Sequence, residues 1–312
     1  MMTEIKLLFA SLLNDEEKIK EITHWLRVMD RPNGWHYDLD HVWILKELEK
    51  AGILPGSTIL DAGAGQGIMQ YLLASRGYNV ISLDFSPRTP PPRSKGIFKI
   101  YGEGNVEISY HHPYMKFINF NSKQSEKLLN HLKWKKFKKL PELPGRIIRK
   151  INSYIQYLFE RLFKNHMKYG TIRYLRAPFH DVPIESGSVD AVISVSAIEH
   201  SDIELFNDNI KSLSRLIKQG GLMLLTTSAT EDKDNHYDEK VSGWCFSIDS
   251  LVSYFPGSTV DFDSKACSDS LLGSNVFMKR LDPYYYLDPN SPFYRKKFQK
   301  LPYLPVGIKL VK

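Results

Sequence analysis

Cysteine is scarce in this chain, and long apolar runs are missing from it. Cys245 and Cys267 stand far apart with no CxxC pair and no histidine companions. That spacing removes a disulfide framework and a structural zinc site, and no metal-ligand set is expected. No stretch approaches the roughly 18 apolar residues of a membrane crossing. The apolar run Leu7 to Leu13 is short and is followed at once by Asp15, Glu16 and Glu17. It fits an amphipathic helix better than a secretory leader. A reducing, cytoplasmic setting is therefore expected. Acid is what the middle of the chain lacks: residues 131–170 hold eleven Lys/Arg against Glu142 and Glu160 alone. The formal charge of +7 is concentrated there, and the remainder of the chain is close to neutral.

What is present is ordinary globular text, 42% hydrophobic and 25% charged, enough to build a substantial core. From Gly52 onward strands and helices alternate. Ser57 to Asp61 is a short apolar strand that ends on an acid and enters a glycine-rich turn. Ile68, Tyr71, Leu72 and Ser75 follow at helical spacing and stop at Gly77; Asn79 to Asp84 is a second strand ending on an acid. Val189 to Val195, a helix from Ile203 to Lys218, Gly220-Gly221 and a strand from Leu222 to Thr226 repeat the pattern. Repeated strand–helix units of one polarity predict an open, doubly wound, mostly parallel sheet with ligands beyond the carboxyl ends of its strands. Asp61, Asp84 and Ser196 to His200 fall at those ends.

Between Pro87 and Arg173 the alternation is lost over about 85 residues, far beyond an ordinary connection of roughly 2–6. This reads as an insertion, residues 88–170. It ends in a helix that puts Ile147, Ile151, Tyr154, Ile155, Leu158 and Leu162 on one stripe. That stripe is expected to pack on the domain, making a basic, partly helical lid. Residues 1–51 read as a helical segment with an approach helix from Tyr37 to Lys50, and 52–280 as the main domain. The Tyr/Pro-rich residues 281–312 read as an irregular wrap.

Asp61-Ala62-Gly63-Ala64-Gly65-Gln66-Gly67 spaces its glycines as G-x-G-x-G, with an acid two positions before the first. Glycine there permits a tight turn and close approach of backbone to a ligand. The dinucleotide fingerprint is G-x-G-x-x-G, so this turn is a different one. Asp61 favours a ligand carrying a positive charge over a pyrophosphate.

Ile59 to Met69 resembles the first motif of class I S-adenosylmethionine-dependent methyltransferases. The resemblance implies that the turn surrounds the methionine moiety of S-adenosyl-L-methionine, with Asp61, Gly63, Ala64, Gly65 and Gly67 as cofactor contacts. Asp84, with Phe85 beside it, matches the acid that bonds the ribose hydroxyls. Val189 to Ser194 resembles the fourth-strand motif and places Ser194 at the cofactor; Ile198-Glu199-His200 follows. Leu216 to Leu222 resembles the Lys-Pro-Gly-Gly turn, with Gln219 where proline is usual. Pro178 stands where the family usually has an acid for the adenine amino group. Asp181, or the backbone near Phe179 and His180, takes that place. The implied architecture is a seven-stranded Rossmann-like methyltransferase fold.

Methyl transfer to a protic nucleophile needs a base, and His200, just past the fourth strand with Glu199 beside it, is the catalytic candidate. The same pair could simply cap the next helix; His36, His111, His112, His166 and His180 are alternatives. Ser194-Val195-Ser196-Ala197 is neither the Asp/Asn-Pro-Pro-Tyr/Phe nor the Pro-Cys motif of nucleic-acid base enzymes. A small-molecule, glycan or lipid-linked acceptor is therefore expected. The alternatives are an RNA methyltransferase that clamps its substrate with the basic insertion, and a non-catalytic partner subunit. Trp134, Phe137 and the surrounding lysines would suit phosphates. Residues 131–163 would also suit peripheral contact with the inner membrane face.

Overall fold

A computed structural model describes residues 2–103, 143–163, 168–239, 242–281 and 301–312. Lys133 to Lys139 with Trp134 and Phe137, and also His111, His112 and His166, lie outside the described residues. The strands are β1 (Met2–Leu7), β2 (Thr58–Ala62), β3 (Asn79–Asp84), β4 (Lys99–Glu103), β5 (Thr171–Arg176), β6 (Val189–Val195), β7 (Ile217–Thr230), β8 (His236–Asp238), β9 (Gly243–Ser247), β10 (Thr259–Asp261) and β11 (Leu304–Val311). The helices used below are α1 (Glu16–Met29), α2 (Tyr37–Lys50), α3 (Met69–Ser75), α4 (Pro92–Lys95), α5 (Leu143–Phe163) and α6 (Phe206–Arg215).

One sheet runs through the molecule in the order β10-β1-β11-β7-β6-β2-β3-β5-β4. β4, β5, β3, β2, β6 and β7 are mutually parallel, and β11 joins β7 antiparallel. These seven strands form the doubly wound, mostly parallel core that the strand–helix repeats predict. β1 and β10 extend it past β11, and the β8–β9 hairpin hangs from the end of β7. The inner strands are hydrophobic throughout because helices cover both faces: Ile59, Leu60, Val192, Ile193, Leu224 and Leu225 are all fully buried. β2 has β3 on one side and β6 on the other, so the chain's direction of winding reverses there and a crevice opens beyond the strand ends.

Three expectations need correction. The run Leu7 to Leu13 is not one helix: Leu7 ends β1, and a single 3-10 turn spans Ala10–Asn14. Ile5 and Leu7 alternate into the core opposite β11, so period two wins over period 3.6. The tail is not an irregular wrap over its last residues, since β11 is inserted between β1 and β7 in the middle of the sheet. The expected helix Ile203–Lys218 divides into a 3-10 turn and α6, and its end belongs to β7, which starts at Ile217 and whose pairing with β6 shifts register between Val189 and Ala191. Residues 88–103 also contribute an edge strand, β4, within the span read as an insertion.

Candidate active site

A cleft of about 750 Å³ opens at the carboxyl ends of β2, β3, β5 and β6, within the roughly 300–1,000 Å³ of small-molecule sites. One wall is the glycine turn from Asp61 to Met69 with Asp84, Phe85 and Ser86; another is Ala177 to His180 and Val195 to Ala197. The third comes from the N-terminal segment, Leu26, Arg31 to Gly34, Tyr37 and His41, and the fourth from His200 to Asp202, Leu205 and Asn209.

The turn is held from below. Gly63 and Gly65 take φ of 74° and 47°, and a Cβ on Gly63 would sit 2.4 Å from that of Ala197. Only glycine fits both the dihedral and the space. Asp84 Oδ2 accepts the Gly65 N–H at 2.9 Å and Oδ1 accepts the Ser86 N–H at 2.8 Å, which ties the turn to the end of β3. The buried Arg88 donates to the Gly65 carbonyl at 3.1 Å and to Ser82 Oγ at 2.9 Å, with its guanidinium 4.8 Å from the Tyr174 ring. Nothing local in the sequence marks this arginine.

Asp61 is fully buried at the end of β2, and its Oδ2 has no hydrogen-bond partner. Burial pushes its carboxyl up to about 7, Arg88 opposing the rise and Asp84 adding to it. A buried carboxylate lacking a partner, at the edge of a cleft, is a receptor for a cation. Across the cleft Arg31 is half-buried, and no acid among the described residues pairs with it. An unpartnered anion and an unpartnered cation in one cleft suit the ammonium and carboxylate of a free amino-acid moiety.

The other expected residues separate into two groups. Ala64, Gly65, Gly67, Phe85 and Phe179 line the cleft, and Phe85 is strongly exposed at its mouth. Asp181 is exposed on a 3-10 turn and is not part of the lining, because its turn points it away to solvent; Phe179 and His180 line the wall instead. Ser194 is buried beneath the cleft floor, since alternation along β6 turns it into the sheet's packing. Glu199 also lies under the floor, accepting from Ser196 Oγ at 2.5 Å and Thr227 Oγ1 at 3.3 Å. Burial raises its carboxyl above the usual glutamate range, with His200 and Ser196 pulling the other way.

His200 lines the cleft and its Nδ1 donates to the Ser242 carbonyl at 2.7 Å. In the neutral ring that bond fixes the tautomer with the lone pair on Nε2. Behind Ser196, whose φ of 44° is rare for a residue with a side chain, lies a buried chain of groups of which sequence reasoning named only His36, as an alternative base. His36 Nδ1 is 2.8 Å from the Asp40 carboxylate, its Nε2 is 3.2 Å from the Tyr303 hydroxyl, and Trp35 donates to that hydroxyl at 3.0 Å. Its members are up to 268 residues apart in the chain.

Residues 35–261 match a family model described as a methyltransferase domain. The chain belongs to this methyltransferase family, with S-adenosylmethionine as its cofactor. No curated protein matches it. Among solved structures it is similar to a Methanococcus maripaludis protein described as an S-adenosyl-L-methionine-dependent methyltransferase, at 14% identity and a TM-score of 0.31, covering 69% of this chain and 61% of that one. It is also similar to Burkholderia thailandensis 1,6-didemethyltoxoflavin-N1-methyltransferase, at 12% identity and TM-score 0.41 over 97% and 84% of the two chains. A third is Haemonchus contortus phosphoethanolamine N-methyltransferase 2, at 13% and 0.44 over 96% and 59%.

Proposed function

We infer that the cleft binds S-adenosylmethionine and transfers its methyl group to a small acceptor group, carried on a free small molecule or on a lipid or glycan. The observation that carries this reading is the partnerless buried carboxyl of Asp61 at the glycine turn, one strand from Asp84. Asp61 takes the cofactor's ammonium and Arg31 its carboxylate. Asp84, whose two oxygens keep lone pairs beyond the backbone bonds they already accept, takes the ribose hydroxyls. Phe85 and Phe179 flank the adenine. Bound there, the cofactor supplies an electrophilic methyl on a sulfonium. The protein's own contribution is to hold an acceptor in line with that methyl and to keep water out. His200 Nε2 is the group placed to receive a proton from a protic acceptor. Leu26, Tyr37, His41 and Leu205 line the remaining space. The cleft of about 750 Å³ is shared between cofactor and acceptor, which favours a small acceptor group.

Calorimetric titration of the purified protein with S-adenosylhomocysteine tests the reading, alongside Gly65→Arg and Asp84→Ala. Micromolar binding is expected in the native protein and none in either variant. An intact, folded protein that takes up no cofactor product would sink the reading. Binding opens a screen of small-molecule, glycan and lipid acceptors. In that screen His200→Gln is expected to lower turnover by about 10²–10⁴-fold with cofactor affinity unchanged, if the acceptor is protic.

A further inference from the structure

α5 meets the domain through a side that combines polar contacts with Tyr154, Tyr157 and Leu158. Ser153 donates to the Arg27 carbonyl at 2.7 Å and accepts from Arg93 at 2.6 Å. Glu160 lies 2.8 Å from His24 Nε2 and accepts from the Tyr169 hydroxyl, and Tyr157 is buried between them. The stripe expected to pack on the domain does so only in part: Tyr154 and Leu158 pack half-buried against the core and Leu162 is half-buried, whereas Ile151 and Ile155 face out. Ile148, Ile151, Ile155, Phe159 and Phe163 are 52–73% exposed. Their spacing of three and four residues makes them one apolar stripe along the 21-residue helix. Monomeric surfaces rarely leave so continuous an apolar strip uncovered.

Charge identifies what covers it. Residues 131–170 carry eleven cations and two acids by sequence. Of those acids Glu160 is turned inward, so the described outer side of α5 has no carboxylate, while Arg149 and Lys150 are exposed beside the stripe. A second copy of the same face would bring like charges together. Nucleic acid offers nothing to exposed isoleucines. An anionic lipid surface satisfies both features, the acyl boundary taking the stripe and the headgroups the cations. Arg149, Lys150 and Arg161 prevent the helix from spanning, and no described helix is apolar enough to cross a membrane.

The geometry points to α5 as a docking helix that lies flat in an anionic membrane surface. Ser153 fastens it to the last turn of α1, and the residues just beyond that turn, Arg31 to Gly34, are a wall of the cleft. Docking therefore holds this wall of the cleft close to the lipid. The substrate class this implies, an amphiphile whose polar group enters the cleft from the membrane, rests on the methyltransferase reading above; the docking itself does not.

Flotation of the full-length protein with vesicles tests it, comparing phosphatidylcholine alone with phosphatidylcholine containing phosphatidylglycerol. The native protein is expected to float with the anionic vesicles only. The triple variant Ile151→Gln, Ile155→Gln, Phe159→Gln, changed only at exposed positions, is expected to partition about a hundredfold less. Its S-adenosylhomocysteine affinity should be unchanged. Native protein that ignores anionic vesicles, or a triple variant that floats as well as native, overturns the proposal. So does a native dimer that the triple variant converts to monomer, which would assign the face to a second copy. Retained cofactor binding without flotation would sink the docking alone, whereas flotation without cofactor binding would sink the other reading.

Discussion

The carboxyl of Asp61 is costly to the ligand-free protein and useful to the liganded one, and pH separates the two effects. Its native value of about 7 lies above the 3.8 of an unperturbed aspartate, so between those values the folded state binds the extra proton. Stability consequently falls as pH rises across that window, and the penalty is complete above it. Asp61→Asn, neutral at every pH, is expected to raise the melting temperature of the ligand-free protein at about pH 8 and to change it little near pH 4. A ligand ammonium would instead draw the proton off. S-adenosylhomocysteine affinity should therefore rise with pH through about 7 in the native protein, with proton release seen as a buffer-dependent heat. In the variant affinity should be weaker and flat. A melting-temperature gain independent of pH would show that Asp61 is not the titrating group. This residue was legible because its signal is local, an acid at a strand end two positions before a glycine. Arg88 and Arg31 carry no local signal, and His36 was legible only as one histidine among several. What joins His36 to Tyr303, 267 residues away, is a contact that only the folded chain assembles.

Among the elements, β11 and α5 show how period and composition mislead. β11 contains Pro305, and proline inside a central strand removes a ladder donor. Here the loss falls where it does no harm: β1 pairs with β11 only from Val306 onward, and Leu8 uses the Pro305 carbonyl rather than needing its nitrogen as a donor. The strand is seated by close packing, since a Cβ on Gly307 would lie 2.8 Å from the indole ring of Trp43, which is itself buried. Gly307→Ala should therefore cost about 1–3 kcal/mol, read as a lower midpoint in urea with the slope unchanged. An unaltered midpoint would mean that β11 is not seated against α2 in this way. In α5 the periodicity was legible but its direction was not, because hydrophobic spacing identifies a face without saying what that face meets. The docked side is chosen by Ser153, Tyr157 and Glu160, whose partners Arg27, Arg93, His24 and Tyr169 lie on three other segments.

At the scale of the whole molecule, the two ends of the chain close the sheet that the α/β units begin. The parallel core was readable from repeated strand–helix units, whereas β1, β10 and β11 come from residues 2–7, 259–261 and 304–311, which meet only after the chain has folded. Glu47 of α2 is where these ends are fastened. Its Oε1 lies 2.7 Å from Lys50 and 3.8 Å from Lys6 of β1, and its Oε2 is 2.7 Å from Lys309 of β11. Burial alone would raise this carboxyl, but hydrogen bonds from Lys309 and Lys50 outweigh it, and the net shift is downward from 4.5. For an acid lowered in the folded state, the stabilisation is complete above the unfolded value and is lost as pH falls through the native one. Glu47→Gln should thus lower the melting temperature at neutral pH, where it leaves three lysines around an uncharged group. The difference from native should shrink steadily below about pH 4.5, as the native carboxylate itself takes up a proton. Equal melting curves at neutral pH would show that the terminal strands are held by sheet pairing alone. A deficit that persists undiminished in acid would assign the loss to packing rather than charge.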